Sequence, residues 1–198
     1  APASFTPDDP PGPDRLEQLI VQGQETIERF GEQFPWVFAT QARCLFYMND
    51  LEKALALTER GLALAGDIPT KACHLLNRGV LNLFLARWVN AARGFQEYFA
   101  LGDLSLFKTD GLIRFADYCF RTQRPEAIFL RFLYRRLADK SGLPSAEQVL
   151  FNQWLDEDPS RAELRKVYHQ APRIQRDRLP TGTKPNPEVR KKRRRKRH

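Results

Sequence analysis

The sequence predicts an all-α fold: a helical repeat array of about three helix pairs, with extra terminal helices and disordered ends. Three observations carry this expectation. The stretch from Asn49 to Leu62 recurs in pattern from Arg87 to Phe99, each copy running into a small residue, Ala54 or Ala91, and a shorter copy follows at Arg124-Pro125-Glu126-Ala127-Ile128. The alanines fall 37 and 36 residues apart, the interval of helix-turn-helix units, which stack because one unit cannot bury its apolar face alone. No segment alternates Val, Ile and Thr with polar residues as a half-buried strand requires.

The elements follow in order. Residues 1–13 carry five prolines and read as a flexible leader. Asp14 with Glu17 three positions on signals a capping box for a helix to about Phe30, with Leu16, Leu19, Ile20, Gly23, Ile27 and Phe30 as its buried stripe. Pro35 opens a helix bearing Phe38, Ala42 and Leu45 on one face; Asn49-Asp50 turns the chain, and the partner helix ends before Gly66-Asp67. Thr70 is the expected cap of a helix to about Ala86, followed by one from Trp88 to near Gly102. Helices from Lys108 to Phe120 and from Pro125 to Lys140 make the third pair, Gly142 serving as a stop. Ser145 with Gln148, and Ser160 with Glu163, signal two more capping boxes, starting helices that carry Val149, Leu150 and Trp154, then Leu164, Val167 and Tyr168. The helical domain is thus expected over 14–169. Ala54, Gly79 and Ala91 are the expected sites of close helix approach.

Composition narrows the function. Of the net charge of +8, residues 170–198 hold twelve Lys/Arg against Asp177 and Glu188, leaving the other 169 residues at −2. The helical body is therefore nearly neutral and the tail strongly basic. Cys44, Cys73 and Cys119 are odd in number and sit in apolar helical contexts, which reads as reduced thiols in an intracellular protein, cytoplasmic or nuclear. No run of residues is long and apolar enough to span a membrane.

Across about residues 35–140 the chain resembles the tetratricopeptide repeat family, whose pattern places bulky and small residues at set positions of each helix pair. The first copy supplies Phe38, Ala42, Ala54, Thr58 and Gly61, and the second Leu75, Gly79, Ala91 and Phe95, with Tyr98 departing from the small residue of the pattern. The third copy keeps Ala127 and departs at Phe115. The resemblance implies a concave groove lined by the first helix of each pair: Trp36, Ala39, Arg43, Phe46 and Tyr47; then Cys73, Leu76, Val80, Leu83 and Phe84; then Thr109, Leu112, Ala116, Cys119 and Phe120. One position per repeat would stack Tyr47, Phe84 and Phe120 as an aromatic ladder, suited to an apolar protein segment. The carboxylate-clamp members require Lys and Asn where this chain has Ala39 and Arg43, so a clamp is not expected. The same rings would be ordinary core if a terminal helix filled the groove.

The tail ends in eight consecutive cations, Arg190, Lys191, Lys192, Arg193, Arg194, Arg195, Lys196 and Arg197. Such a block repels itself, buries nothing and is expected to be disordered. Its charge fits an anionic partner, RNA above all; without an aromatic in 169–198 to stack on bases, it should read shape and charge, not sequence. A nuclear localisation signal has the same composition. Catalytic chemistry is not signalled. His74, His169 and His198 lie beside no nucleophile motif, Cys73-His74 are neighbours that point about 100° apart on a helix, and Asp156-Glu157-Asp158 read as solvated charges. No cofactor or metal is expected. The reading is a non-enzymatic adaptor or chaperone binding a protein segment, the alternative a ribosomal or RNA-processing protein acting through its tail.

Overall fold

The computed structural model describes residues 11–102, 109–122, 124–138 and 144–172, the side chains of 109 and 110 excepted. The leader 1–10, Gly142 and the cationic run 190–197 lie outside the described residues. Among the described residues the chain forms helices and turns without a strand: α1 (Pro13–Phe30), α2 (Trp36–Tyr47), α3 (Leu51–Leu64), α4 (Ile68–Phe84), α5 (Trp88–Ala100), α6 (Thr109–Arg121), α7 (Ala127–Leu137), α8 (Ser145–Asp156), a 3-10 turn (Pro159–Arg161) and α9 (Ala162–Gln170).

The helix starts differ from the expected ones in a consistent way. Gly12 precedes α1 with Pro13 at its first position, and Asp14 does not cap. Asp67 caps α4 in place of Thr70: its carboxylate accepts from the Thr70 backbone N–H at 2.8 Å and from the Thr70 hydroxyl at 2.8 Å. Ser145 is already inside α8, behind Pro144. Ser160 lies within the 3-10 turn that Asp158 caps, so α9 starts two residues later. In these cases a proline or an aspartate just upstream takes the position, because Pro pre-sets φ and an ionised carboxylate accepts N–H groups more strongly than a hydroxyl does.

Helices α2 with α3, α4 with α5, and α6 with α7 form hairpins, α3 lies along α4, and α1 lies along α2. The first two hairpins turn identically. The N–H of Asp50 donates to the Leu45 carbonyl at 2.9 Å and that of Asn49 to Phe46 at 3.0 Å; the N–H of Arg87 donates to Asn82 at 2.9 Å and that of Ala86 to Leu83 at 3.1 Å. The third hairpin repeats the longer of these bonds, Arg124 N–H to the Cys119 carbonyl at 3.4 Å. This double closure is a helix C-cap that needs one left-handed residue, supplied by Asn49 at φ 63° and Ala86 at φ 56°. Asn tolerates that region, whereas alanine is strained there by roughly 1–2 kcal/mol. Ala86 is exposed, so Ala86→Gly should stabilise the protein by about 0.5 kcal/mol net of glycine's chain entropy. A calorimetric melt would show a midpoint higher by about 1–2 °C. Asn49→Gly should gain nothing, since its side chain also accepts from Arg124 at 2.6 Å.

Small residues set the closest approaches. Ala54 and Ala91 are fully buried and Gly79 is buried, as their spacing predicts. On α1, the Gln41 amide from α2 donates to the Ile20 carbonyl at 2.6 Å and fills the gap left by Gly23, where a Cβ would overlap it. The α1 stripe is narrower than its periodicity implies: Leu16 and Ile27 are buried, while Phe30 remains 47% exposed. Helix α7, buried along Ala127, Ile128, Phe129, Leu130, Phe132, Leu133, Tyr134 and Leu137, is enclosed on nearly all sides.

The third hairpin does not continue the stacking of the first two. Helix α5 has no close backbone packing along α6 to match that of α3 along α4; α9 lies against α5 instead. The closure there is specific. Arg161 lies between the rings of Trp88, 4.9 Å away, and Trp154, 4.2 Å away, while the Trp88 indole N–H donates to Asp158 at 2.9 Å. Asp158 is therefore a structural cap and not a merely solvated charge, and its carboxyl is held below the usual range chiefly by the Ser160 hydroxyl and N–H. Phe151 stacks flat on Phe132 at 4.2 Å. In α8 the buried residues are Phe151, Trp154 and Leu155, leaving the expected Val149 and Leu150 exposed.

Candidate functional site

The expected groove residues separate into three groups. Phe46, Leu76, Val80, Leu83 and Phe84 are buried in the main core; Tyr47, Leu112 and Phe120 are half-buried against it; Trp36 and Arg43 are exposed. Ala39, Ala116 and Cys119 are buried and Cys73 half-buried. The cause lies in the third pair. Helix α6 sets Phe115 against Phe46 at 5.4 Å and Tyr118 edge-on to Tyr47 at 5.8 Å, so the third inner helix covers the inner face of the first. Phe46 also tilts onto Phe84 at 5.2 Å.

Among the described ring contacts, Tyr47 and Phe84 both meet Phe46, at 5.7 and 5.2 Å, and not each other. Arg124 caps the Phe46 and Phe84 rings at 5.3 and 5.2 Å, anchored on Asn49. Arg131 covers Phe120 at 4.5 Å while pairing with Asp117 at 2.8 Å and Glu147 at 3.0 Å, tying α6, α7 and α8 together. Burial pushes the Tyr47 hydroxyl up to about 12, as expected of a packed phenol. The reason is physical: aromatic side chains on an inner face bury each other whenever the chain has a further helix to lay across them.

What stays open lies at the other end of those helices. Phe30, Phe34 and Trp36, at the corner between α1 and α2, are 47%, 48% and 44% exposed. The corner is tightly turned, with the Phe34 N–H donating to the Phe30 carbonyl at 2.9 Å and Val37 N–H to Phe34 at 3.0 Å, so the backbones of the three residues lie close together. Because α2 and α3 are antiparallel, the end of α3 and the start of α4 lie at the same end of the array, where Leu64 and Ile68 are also exposed. Only Trp36 of this group carried a sequence signal. Phe30 was expected in the core and Phe34 precedes a helix, so neither periodicity nor motif marks them.

His74 sits directly behind this corner. Its ring is fully buried, and Nε2 lies 3.0 Å from the Pro35 carbonyl. A carbonyl only accepts, so Nε2 carries the proton. The ring fills the space against Gly61, where a Cβ would come within 2.2 Å of it. Burial lowers the imidazole below its ordinary pKa, against an opposing pull from the Pro35 bond. Cys73, its neighbour, has its thiol raised by burial, and burial pushes the Cys119 thiol up to about 12, so these are weak nucleophiles at neutral pH. The two side chains are not brought together as a pair. All three cysteines are free thiols.

Among the described residues no helix is long and apolar enough to cross a membrane, and no group of three or more His, Cys, Asp or Glu is placed to hold a metal ion. Compared with known proteins, the chain matches no family model, and no curated protein or solved structure gives a significant match.

Proposed function

We propose that this chain is a non-enzymatic helical scaffold of the tetratricopeptide kind, an intracellular adaptor or chaperone, cytoplasmic or nuclear, that binds a protein segment. The observation that supports this reading is the half-exposed trio Phe30, Phe34 and Trp36 at the corner between α1 and α2, the end of the helices at which Leu64 and Ile68 are also exposed. Large rings held half in water cost stability without a partner, and grouped exposure of this kind is characteristic of interaction surfaces. Tryptophan and phenylalanine in a fixed backbone frame are effective anchors, because they bury much area for little lost rotamer freedom. The half-exposed rings favour the Trp36 end of the inner helices as the partner site, since most of the ladder side is covered. The basic tail would add a second, electrostatic contact with an anionic partner.

The test is a pull-down with nuclease treatment, comparing wild type with Trp36→Ala and Phe34→Ala. A partner that survives nuclease should bind Trp36→Ala about 30-fold more weakly, the loss typical of a truncated interface anchor. The melting midpoint should stay nearly unchanged, since Trp36 is not core. Undiminished binding by both variants would remove the surface from consideration.

A second reading is favoured by the charge split between a body of −2 and a tail of +10: an RNA-associated protein whose tail binds nucleic acid while the helices position it. Under that reading, captured partners disappear on nuclease treatment.

A further inference from the structure

We propose that His74 is a proton-sensitive latch that holds the corner between α1 and α2, and that protonation of its ring releases the segment bearing Phe34 and Trp36. The geometry has three parts. The ring is fully buried at the junction of α2, α3 and α4, wedged against Gly61, which Phe38 also approaches. Its single polar contact is Nε2 to the Pro35 carbonyl at 3.0 Å, the bond that ties the corner to α4. Its other nitrogen, Nδ1, is buried with no hydrogen-bond partner.

This arrangement suits the neutral ring and does not suit the charged one. A proton on Nδ1 would create a buried N–H with nothing to accept it and a charge in apolar surroundings, both costly. The charged side chains on the elements around the ring are Glu32 at the corner, Arg43 on α2, Glu52, Lys53, Glu59 and Arg60 on α3, and Asp67, Lys71 and Arg78 at the start of and along α4. Glu52 pairs with Arg87, Lys53 with Asp50, and Asp67 with Thr70. Arg60 lies over the Phe38 ring at 5.1 Å, and Arg78 pairs with Glu59 and Glu97. Glu32, Arg43 and Lys71 are exposed. None of them bonds the ring, so no carboxylate is placed to stabilise the imidazolium in the closed state. The ring must leave the pocket to be protonated, and the Pro35 bond leaves with it.

The direction with pH follows. An exposed imidazole takes up its proton near 6.5, while the closed, desolvated ring does so only at lower pH. Between these values the open state holds one proton more than the closed state, so opening rises as pH falls. The latch is fully engaged above 6.5. Control of the Trp36 surface by this latch rests on the binding reading given above; the latch itself does not.

Amide hydrogen exchange on the full chain, with no partner present, tests it. The amides of Phe34, Val37 and Phe38, all bonded across the corner, should lose protection by about fivefold from pH 6.5 to 5.5 after correction for chemical exchange. In that window imidazole is the side chain that ordinarily titrates; of the other histidines, His169 is on α9, which packs against α5, α7 and α8, and His198 lies outside the described residues. His74→Gln, which keeps an N–H donor and cannot titrate, should abolish the pH dependence. Unchanged wild-type protection, or an equal loss in His74→Gln, would overturn the latch. Should His74→Gln not fold, the smaller His74→Asn replaces it. If neither folds, the wild-type response decides: a rise in opening below about threefold over that pH unit overturns the proposal. Trp36→Ala binding, measured at pH 7.5, reports separately on the surface.

Discussion

Gly94→Val should lower the thermal midpoint of this protein by about 6–12 °C. The reason is a backbone crossing. A Cβ on Gly94 would stand 2.7 Å from the Gly79 nitrogen and 2.8 Å from its Cα, so α5 meets α4 with no side chain between them. A flexible side chain could swing aside, but a helix backbone cannot. Valine would force the two helices apart, unpacking the buried Phe95 that lies against Gly79 on one side and Phe129 on the other. Overpacking of that kind costs roughly 3 kcal/mol, which converts to the stated shift for a chain of this size. Gly111→Ala, where nothing lies within 4 Å of the added methyl, is the control. It should raise the midpoint slightly through helix propensity. An unchanged midpoint for Gly94→Val would mean that the α4–α5 crossing is wrong.

Removing residues 184–198 should abolish non-specific RNA affinity while leaving the melting midpoint in place. The deletion takes nine cations and one acid, moving the chain from +8 to 0. If about six phosphates are neutralised, the intact protein's affinity should fall about 10³-fold or more between 50 and 200 mM salt, because each contact releases counterions. Shuffling the order of the eight terminal cations should matter little, since contacts to phosphate carry no base information. Filter binding across a salt series checks both points. Affinity that survives truncation, or that ignores salt, would place the RNA contact on the helical body.

Helix identity was legible in the chain because it depends on local chemistry. Repeated Ala, Gly and aromatic spacings marked the hairpins, and the turn at Asn49-Asp50 recurs at Ala86-Arg87 with the same bonds. The capping residues were less legible, since Asp67 and Asp158 start their helical turns further upstream and bond the N–H groups of Thr70 and Ser160 themselves. Phe30 and Leu150 share their residue types and helical spacing with Phe151 and Trp154, yet the first two are exposed and the last two buried. Periodicity names a face of a helix and not what is laid against it.

The sequence by itself determined that the chain is helical, where small residues allow close approach, and that its charge is concentrated at one end. Those properties need only near neighbours and composition. The tertiary structure alone decided that the inner-face aromatics are covered, through Phe115 and Tyr118 of α6. It alone decided that α9 lies against α5, with Arg161 held between Trp88 and Trp154. It also put His74 behind Pro35, 39 positions away in sequence. Each of these joins residues far apart along the chain, and such contacts are chosen by how whole surfaces bury one another, which no local pattern encodes.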